Sequence, residues 1–459
     1  MTLKSSWPQK SAQAERRRRE MGEARTPLRR EEDGSANRGD ERSGVGGVME
    51  RVLSRSNLMA AMKKVVGNKG KPGVDGMEVG AFREWVTTGD NWERLRTSLV
   101  EGTYVPSPVR RVEIPKTGGG VRMLGIPTVI DRFIQQAILQ VLQPEIDPTF
   151  STSSYGFRPG RSAHQAVRRA RSFVEEGRAV VVDVDLAQFF DRVNHDILMS
   201  RVAKHCKDKT VLRLIRRYLE AGMFSVGLVT KRHEGTPQGG PLSPLLANIL
   251  LDDVDKELER RGHRFVRYAD DCNVYVRSRR AGERVMAGLR KMYERLHLVV
   301  NEEKSAVVSV YRCQFLGFSF YRNAKGVGIR MAPKAIKKMK DRVRTLVRPG
   351  RSVEDIVTHL RSYLLGWKNY FRLAATPKML QSLDKWIRHR LRMVLLKQWK
   401  RGRTAFQKLR AMEVPRRIAV VIAANTKSWW RNSRKLLNGV FPVSFFDELG
   451  VPQLATTST

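Results

Sequence analysis

The sequence HRFVRYADDCNVYVR, residues 263–277, decides how the rest of the chain is interpreted. Apolar and polar residues alternate on both sides of Ala269-Asp270-Asp271, which predicts a β-hairpin with two aspartates at its tip. Adjacent carboxylates repel each other, and aspartate is unfavourable in strands. A bound divalent cation would neutralise them, and Mg²⁺ prefers oxygen ligands of this kind. An ordinary aspartate-rich surface turn is the alternative.

A second stretch, AVVVDVDLAQFFDRVNHD at 179–196, supplies further carboxylates. Residues 179–186 are apolar and β-branched enough to predict a buried strand, with Asp183 and Asp185 on one face. Charged groups in a buried strand need a partner or a metal. Asp185 at the strand end, beside the two aspartates of the hairpin, predicts a two-metal site that activates a 3′-hydroxyl and stabilises a leaving pyrophosphate.

The composition indicates a polyanionic partner. The 459 residues include 86 Lys and Arg but 46 Asp and Glu, a formal charge of +40, and nucleic acid is the usual partner of such a chain. The three cysteines are far apart, which favours neither a zinc module nor a disulfide framework and makes an intracellular setting the default. No apolar run of about 18 residues predicts a membrane span.

Basic residues recur beside predicted turns and helix starts. RRVEIPKTGGGVRMLGIP at 110–127 predicts two strands joined by a Gly-rich turn, where Lys116 and Arg122 could clamp a triphosphate. An ordinary exposed hairpin is the alternative. In SYGFRPGRSAHQAV, at 154–167, two arginines precede a helix that begins near Ser162, which favours phosphate contact.

Helical periodicity covers much of the remaining chain. A tight loop with Gly239 and Gly240 could let a base pair approach closely, and FLGFSF at 315–320 predicts a strand. Helices are predicted at about 53–65, 79–99, 131–142, 162 onward, 196–221, 243 onward and 282–296.

Residues 331–403 carry 20 Lys and Arg against 4 Asp and Glu. Two amphipathic helices are predicted, at 353–371 and 379–399, with aromatic residues among the basic ones. This pattern suits a nucleic-acid surface, where rings stack and cations neutralise phosphates. A helical bundle with aromatic core positions and a solvated basic face is the alternative, and one helix can have both faces.

The motifs occur in an order that is typical of one protein family. The chain resembles the reverse transcriptase/maturase proteins encoded by bacterial group II introns, and RSYLLGWKNYF at 361–371 resembles their maturase-specific thumb. The first set of matching stretches, which covers roughly 48–320, is RVEIPKTGGGVRMLGIP, SYGFRPGRSAHQAV, DVDLAQFFDRVNHD, GTPQGGPLSPLLANI, RYADD, NEEKS and FLGF.

The resemblance implies an α+β fold, a right-hand polymerase with helical fingers, a ferredoxin-like palm and an α-helical thumb/maturase domain. It implies that Asp185, Asp270 and Asp271 are catalytic and hold two Mg²⁺ ions, with help from the carbonyl of Leu186. Asp183 matches no such position. The implied domains are a disordered basic arm at 1–47, a fingers extension at 48–109, fingers and palm at 110–330, the thumb at 331–403 and a small DNA-binding region at 404–459.

The resemblance also implies contacts with nucleotide and nucleic acid. Lys116 and Arg122 would contact the triphosphate, Phe190 would screen the 2′ side of the incoming sugar, and Gln238 would line the nucleotide site. Lys304 could protonate the leaving pyrophosphate or be a surface lysine. Nucleic-acid contacts are expected from Arg158, Arg161, Trp367, Lys368, Arg388 and Arg392.

The expected function is RNA-directed DNA synthesis together with maturase activity. The implied partners are group II intron RNA, an RNA template, a DNA primer or target and deoxynucleoside triphosphates, in a bacterial cytoplasmic ribonucleoprotein with no membrane association. No Cys/His cluster is present, so the resemblance favours the endonuclease-lacking lineage. Two alternatives are an RNA-binding splicing cofactor with secondary polymerase activity and a domesticated reverse transcriptase in phage defence. The oligomeric state does not follow from the sequence.

Overall fold

The computed structural model describes residues 47–115, 120–225, 228–230, 234–236, 239–425, 429–433 and 436–455. The arm predicted at 1–47 therefore lies outside the described residues, except for Gly47. Within the described ranges, no helix is both long and apolar enough to cross a membrane.

Four helices precede the first strand. The single helix predicted at 79–99 is two helices, because Thr88 is extended and Gly89 has φ +51°, which breaks the helical path before Asn91. The helices are α1 (Val48–Val52), α2 (Arg55–Gly67), α3 (Phe82–Thr87) and α4 (Asn91–Val100).

The predicted basic hairpin consists of β1 (Val109–Pro115) and β2 (Val121–Ile126), which pair antiparallel. Residues 116–119 of its turn are outside the described part. The hairpin is followed by α5 (Val129–Ile146) and α6 (Ala163–Glu175). Both helices begin at a hydroxyl cap: the side chains of Thr128 and Ser162 accept hydrogen bonds from backbone N–H groups three residues later.

The central region alternates strands and helices. Its first half contains β3 (Val180–Val184), α7 (His195–His205), α8 (Lys209–Glu220), β4 (Met223–Ser225) and β5 (Leu228–Thr230). Its second half contains α9 (Ser243–Arg260), β6 (Arg264–Tyr268), β7 (Asp271–Val276), α10 (Arg279–Arg295) and β8 (Ala306–Ser309).

The sheet of this region has the strand order β6-β7-β3-β8, with every neighbouring pair antiparallel. Its strands and the helices α9 and α10 follow one another in a β-α-β-β-α-β pattern, which confirms the expected ferredoxin-like palm. A second sheet, with the order β2-β1-β4-β5, joins the basic hairpin to β4 and β5.

Both faces of the palm sheet are covered. Val182 and Val184 belong to a core formed with α5, α9 and α10, whereas Val181 and Tyr275 belong to a second core that includes α6 and the C-terminal helices. Burial on both faces explains why β3 reads as a continuous apolar run instead of an alternating one.

The chain after the palm is mainly helical. A hairpin of β9 (Phe318–Asn323) and β10 (Gly326–Met331) comes first. The strand predicted at 315–320 begins three residues late, because Leu316 and Gly317 have positive φ angles. The helices are α11 (Pro333–Leu346), α12 (Val353–Phe371), α13 (Pro377–Gln398), α14 (Gly402–Ala411), α15 (Arg416–Ala424), α16 (Trp429–Asn432), α17 (Leu437–Val440) and α18 (Val443–Glu448).

The boundary expected near residue 403 does not separate two cores. Phe441, Phe446 and Leu454 are buried in the same apolar cluster as Leu383 and Ile387 of α13. The amide nitrogen of Leu454 also donates to the Asp384 carboxylate at 2.9 Å. The helices after 403 and the expected thumb therefore form one packed unit.

A buried ion pair ties the palm hairpin to α9. Arg267 on β6 and Asp255 on α9 are 1% and 0% exposed, and their side chains meet through three hydrogen bonds of 2.5–2.9 Å. Removing one member of such a pair leaves a buried charge without compensation.

We expect Arg267→Ala to lower the free energy of unfolding by about 3–5 kcal/mol, measured by urea denaturation. The matched control is Arg264→Ala on the same strand, whose exposed side chain should change stability by less than about 0.5 kcal/mol. Equal stability of the two variants would contradict the structural role of the pair.

Candidate active site

The palm hairpin turns where the sequence predicts. Tyr268 pairs with Asp271 as the last pair of the β6–β7 ladder, so Ala269 and Asp270 form the turn. Ala269 has φ +59°, a left-handed conformation that is uncommon for a non-glycine residue. The turn is therefore held by its surroundings rather than by local preference alone.

The register of β3 against β7 brings the third aspartate to this tip. Val184 pairs with Cys272 in an antiparallel ladder. The printed ladder ends at this pair, and Asp185 and Asp271 are the next residues beyond it on the two chain segments. The structure thus brings Asp185, Asp270 and Asp271 together at one end of the sheet.

The electrostatics of this end reflect crowded carboxylates. The pKa of Asp271 is raised to about 7, first by desolvation and then by the negative charges of Asp270, Asp185 and Asp183. The Asp271 side chain is nevertheless accessible to solvent, although protein atoms surround it closely enough to desolvate it in part. Like charges at this spacing favour protonation unless a cation joins them.

Asp183, which pairs with Asn273 next to the last pair of the ladder, is held differently. Burial raises its pKa to about 6, against the lowering effect of the Cys313 thiol, whose sulfur lies 3.6 Å from Oδ2. With the Asn273 amide oriented to satisfy its neighbours, its nitrogen donates to Asp183 Oδ1 at 2.7 Å. Asp183 therefore has protein partners inside the sheet, consistent with its exclusion from the triad.

The turn at 301–305 braces Asp185. The backbone N–H of Asn301 donates to the Asp185 carbonyl at 2.8 Å, and the backbone N–H of Asp185 donates to the Ser305 hydroxyl at 3.0 Å. Lys304 Nζ lies 3.3 Å from Asp185 Oδ2, and two-thirds of the lysine side chain is exposed. The NEEKS stretch thus fixes the backbone of Asp185 and places a cation beside its carboxylate.

Arg267 also supports the tip from within the protein. Besides its bonds to Asp255, its Nη1 donates to the Ala269 carbonyl at 3.0 Å and to Asn248 Oδ1 at 2.9 Å. Asn248 in turn donates to the Gly156 carbonyl at 2.9 Å. One buried arginine therefore connects α9, the hairpin turn and the SYGF loop.

Gly156 lies directly against the turn. A Cβ at this position would collide with the backbone nitrogen of Ala269 and lie 3.0 Å from its Cα. The neighbouring residues Ser154 and Tyr155 form a parallel bridge and a backbone hydrogen bond with Arg267. Only glycine lets this loop approach closely enough to hold the aspartate-bearing turn.

The donor set at the tip fits a divalent cation. Asp185 and Asp271 are hard oxygen donors just beyond the last β3–β7 pair, and the negative charges of Asp270 and Asp185 contribute to the raised pKa of Asp271, a repulsion that a cation would relieve. In their present conformations, no three histidine, cysteine, aspartate or glutamate side chains among the described residues form a group that could hold a metal ion. The ammonium group of Lys304 partly balances the negative charge of Asp185.

The expected nucleotide-contacting residues are described only in part. Lys116 and Gln238 lie outside the described residues, as does the side chain of Arg122, whose backbone pairs with Ile114. Phe190 is half-buried, its ring 5.0 Å from that of Phe189, and its carbonyl accepts from Thr236 N at 2.6 Å. The loop that precedes Gln238 is thus bound to the segment after Asp185. Leu186 is buried and bridges Val300.

The glycines of the 234–244 loop serve protein packing. A Cβ on Gly239 would collide with the Gly125 carbonyl of β2, and one on Gly240 would collide with the Gln135 side chain of α5. These glycines were expected to open the backbone to a base pair. In the structure they allow close approach to β2 and α5.

The prediction that Arg158 contacts nucleic acid is wrong. Arg158 is 8% exposed, and its guanidinium donates to the Asp147 carboxylate, the Asp147 carbonyl and the carbonyls of Ser151 and Ser154. These bonds use its donors inside the protein. Arg161 is partly exposed, donates to the Thr152 carbonyl at 3.2 Å and lies over the Tyr155 ring.

Three of the predicted thumb contacts are also internal. Trp367, Arg388 and Arg392 are 8%, 2% and 6% exposed. Arg388 pairs with Asp447 at 2.5 Å, and Arg392 donates to the Phe441 carbonyl at 2.8 Å, so both arginines attach the C-terminal helices to α13. The prediction that these three side chains bind nucleic acid is therefore wrong.

Lys368 donates to the Gln453 carbonyl at 3.0 Å, and this bond holds the C-terminal segment on α12. Its proposed contact with nucleic acid has no support in this geometry. The aromatic residues among basic ones on these helices are mainly core positions. The remaining exposed cations, not the buried ones, form the outer face.

Sequence reasoning missed the residues that support the tip. Arg267, Asn248 and Gly156 contact no expected substrate, and their importance follows from long-range contacts. One signal was available: a charged residue, Arg267, in the middle of an otherwise apolar strand must have a buried partner.

Two family models match the chain. The model described as reverse transcriptase (RNA-dependent DNA polymerase) matches residues 114–320, and the group II intron maturase-specific domain matches residues 336–412. The first range contains all three aspartates of the tip, and the second contains most of α11 to α14.

Curated proteins show the same relationship. Protein YkfC of Escherichia coli is 39% identical over 46% of this chain and 57% of its own length. The group II intron-encoded protein LtrA of Lactococcus lactis is 35% identical over 48% of this chain and 36% of its own length. Nuclear intron maturase 1 of Arabidopsis thaliana is 27% identical over 32% of this chain and 27% of its own length. The matches thus span between about a quarter and somewhat over half of these relatives.

We expect Gly156→Ala to shift the hairpin turn and to lower primer extension on an RNA template at least tenfold, because the new methyl group collides with the Ala269 backbone. RNA binding, measured by filter retention, should be retained. The matched control is Gly160→Ala, where a Cβ meets nothing within 4 Å but the φ of +67° costs about 1 kcal/mol or more of backbone strain. Full extension by Gly156→Ala would contradict the assigned close approach.

Proposed function

We propose that the chain, which matches the reverse transcriptase model over residues 114–320 and the group II intron maturase model over 336–412, is an RNA-directed DNA polymerase that copies intron RNA into DNA during retrohoming. We propose in addition that it binds the same RNA and assists its splicing. The observation that supports the polymerase proposal is the β3–β7 register, which ends at Val184 and Cys272, directly before Asp185 on one segment and after Asp270 and Asp271 on the other.

In the proposed reaction, the 3′-hydroxyl of a DNA primer attacks the α-phosphate of a deoxynucleoside triphosphate and releases pyrophosphate. Asp185, Asp270 and Asp271, with the carbonyl of Leu186, would hold two Mg²⁺ ions. When bound, these ions supply a lowered hydroxyl pKa and charge stabilisation at the leaving oxygens.

The chain's own residues would orient the reactants around this centre. Lys304, whose Nζ lies 3.3 Å from Asp185 and whose side chain is largely exposed, would give a proton to the leaving pyrophosphate. Phe190 would stand against the 2′ position of the incoming sugar. Lys116, Arg122 and Gln238 would bind the triphosphate and base, which is proposed from the sequence resemblance alone.

The proposed partners are group II intron RNA, an RNA template, a DNA primer or target and deoxynucleoside triphosphates, in a cytoplasmic ribonucleoprotein. The thumb would meet nucleic acid through exposed cations instead of the buried arginines. On and after α13, Lys385, Lys397 and Lys400 are exposed, while Arg388 and Arg392 hold the fold. Arg161 remains a proposed contact near the palm.

We expect Asp270→Asn combined with Asp271→Asn to abolish primer extension on an RNA template with Mg²⁺ and deoxynucleotides, because both of the charges removed belong to the proposed metal site. RNA affinity and splicing assistance should be largely retained. The matched control is Asp253→Asn, a partly exposed carboxylate of α9 paired with Arg201, which should extend primers like the wild type.

Extension by the double variant would overturn the metal assignment. No extension by the wild type either, with tight binding to structured RNA, would instead favour a splicing cofactor. A protein used only in phage defence would extend primers but give no splicing assistance.

We expect the triple replacement of Lys385, Lys397 and Lys400 by Gln to weaken RNA binding and to reduce the slope of log affinity against log salt. The reduction should be about 0.7–0.9 for each phosphate that these lysines neutralise in the wild type. The melting temperature should stay near the wild-type value because the side chains are exposed. An unchanged salt slope in the lysine variant would count against this surface.

The matched control for this surface is Arg388→Ala, which should keep the RNA affinity and its salt dependence near the wild-type values. It should lower the melting temperature by several degrees, since it removes the cation that pairs with Asp447 and Asp384.

A further inference from the structure

A concave site of about 480 Å³ lies at the end of the β6–β7 hairpin opposite the aspartate tip. We name it the palm pocket. It is formed where α9 ends, where β6 begins, where β7 ends and along one side of α10. Its basic rim consists of Arg178, Arg261, Arg264, Arg277 and Arg284.

The palm pocket is separate from the candidate active site. Arg264 opens β6 and Tyr268 closes it, so four residue steps of roughly 3.4 Å, about 14 Å in total, separate the pocket from the turn. Arg277 directly follows the last residue of β7, again at the end away from Asp271. The proposed polymerase chemistry therefore gives no reason for arginines here.

The rim carries positive charge that the described residues do not neutralise. Arg178 pairs with Glu176 at 3.5 Å, and Arg261 pairs with Glu257 at 2.7 Å. Glu257 is shared with Arg260, on the same helix. The exposed side chains of Arg264, Arg277 and Arg284 have no hydrogen bond or ion pair within the described part of the chain.

The floor of the palm pocket is apolar. Leu258, Tyr275, Val276 and Met292 line it and are all less than 9% exposed. A purely electrostatic surface would not need such a floor. An apolar base below a ring of planar cations suits a ligand with one flat apolar part and one anionic part.

His263 also belongs to the palm pocket. It lines the cavity, and its pKa is lowered first by burial and then by the positive charges of Arg261 and Arg178. The lowered pKa favours the neutral imidazole near pH 7. A neutral imidazole has one donor and one acceptor, which can bind the edge of a base.

We propose that the palm pocket binds a phosphorylated nucleotide, with its base on the apolar floor and its phosphate among the unpaired arginines. Arginine suits this role because its planar guanidinium both stacks on rings and binds phosphate in a bidentate manner. The nucleotide is either one unit of an RNA strand or a free nucleotide. The inference rests on the proposed function only in taking intron RNA as the natural strand.

The test uses the full chain and a 20-nucleotide single-stranded RNA that contains 4-thiouridine. The pocket variant replaces Arg264, Arg277 and Arg284 by Gln. The control variant replaces Arg322, Lys325 and Arg330 of the β9–β10 hairpin by Gln, which removes the same charge from another exposed surface.

We expect the pocket variant to bind the RNA roughly tenfold more weakly, with a shallower salt dependence, and the control to stay within about twofold of the wild type. Photocross-links in the wild-type protein should map to residues that line the pocket. This second measurement decides the matter if the pocket variant does not fold. For a folded pocket variant, a loss of RNA affinity no greater than the control's, together with no binding of adenosine monophosphate by the wild type, overturns the proposal.

Adenosine monophosphate distinguishes the two sources of the nucleotide. Calorimetric binding to the wild type and control, but not to the pocket variant, would identify a free-nucleotide site. Variant-specific loss of RNA binding without any binding of the monophosphate would identify an RNA-strand contact. None of these readouts needs DNA synthesis, so failure of the wild type to extend primers would overturn the proposed polymerase function and leave this test intact.

Discussion

The antiparallel pairing of β3 with β7 is the constraint on which the candidate site depends. It ends at Val184 and Cys272, directly before Asp185 and after Asp271, and it places Asp183 against Asn273 one pair inside that last pair. A register shift of one residue would turn every side chain to the other face. Because both faces of this sheet pack against large apolar cores, such a shift would turn Asp183 into the core that now holds Val182 and Val184, and this cost fixes the register.

Several elements of the fold hold the crowded carboxylates in position despite their mutual repulsion. The turn at 301–305 binds the backbone of Asp185, and Arg267 binds the carbonyl of Ala269 beside Asp270. Gly156 closes the other side of the turn. These contacts come from segments far apart in the chain, so the carboxylates are held in place before any cation or substrate arrives.

Arginine has two distinct roles in this strongly basic chain. Arg158, Arg267 and Arg388 are buried, and each is paired with a carboxylate that joins separate elements. The arginines of the palm pocket are exposed, and three of them have no partner within the described residues. Net charge alone indicates a polyanionic partner but does not tell which cations face it, since burial decides that question residue by residue.

The sequence by itself determined the palm hairpin, the aspartate motif, most helices and the resemblance to a known family, because these rest on local periodicity and on motifs in order. It placed α12 at its observed residues, 353–371, since the apolar spacing and the Ser352 cap are local signals. Only the tertiary structure decided which aspartates meet, that Gly156 packs on the turn, and that Arg158, Arg388 and Arg392 are internal. The physical reason is that burial and pairing depend on contacts between residues far apart in sequence, which periodicity does not encode.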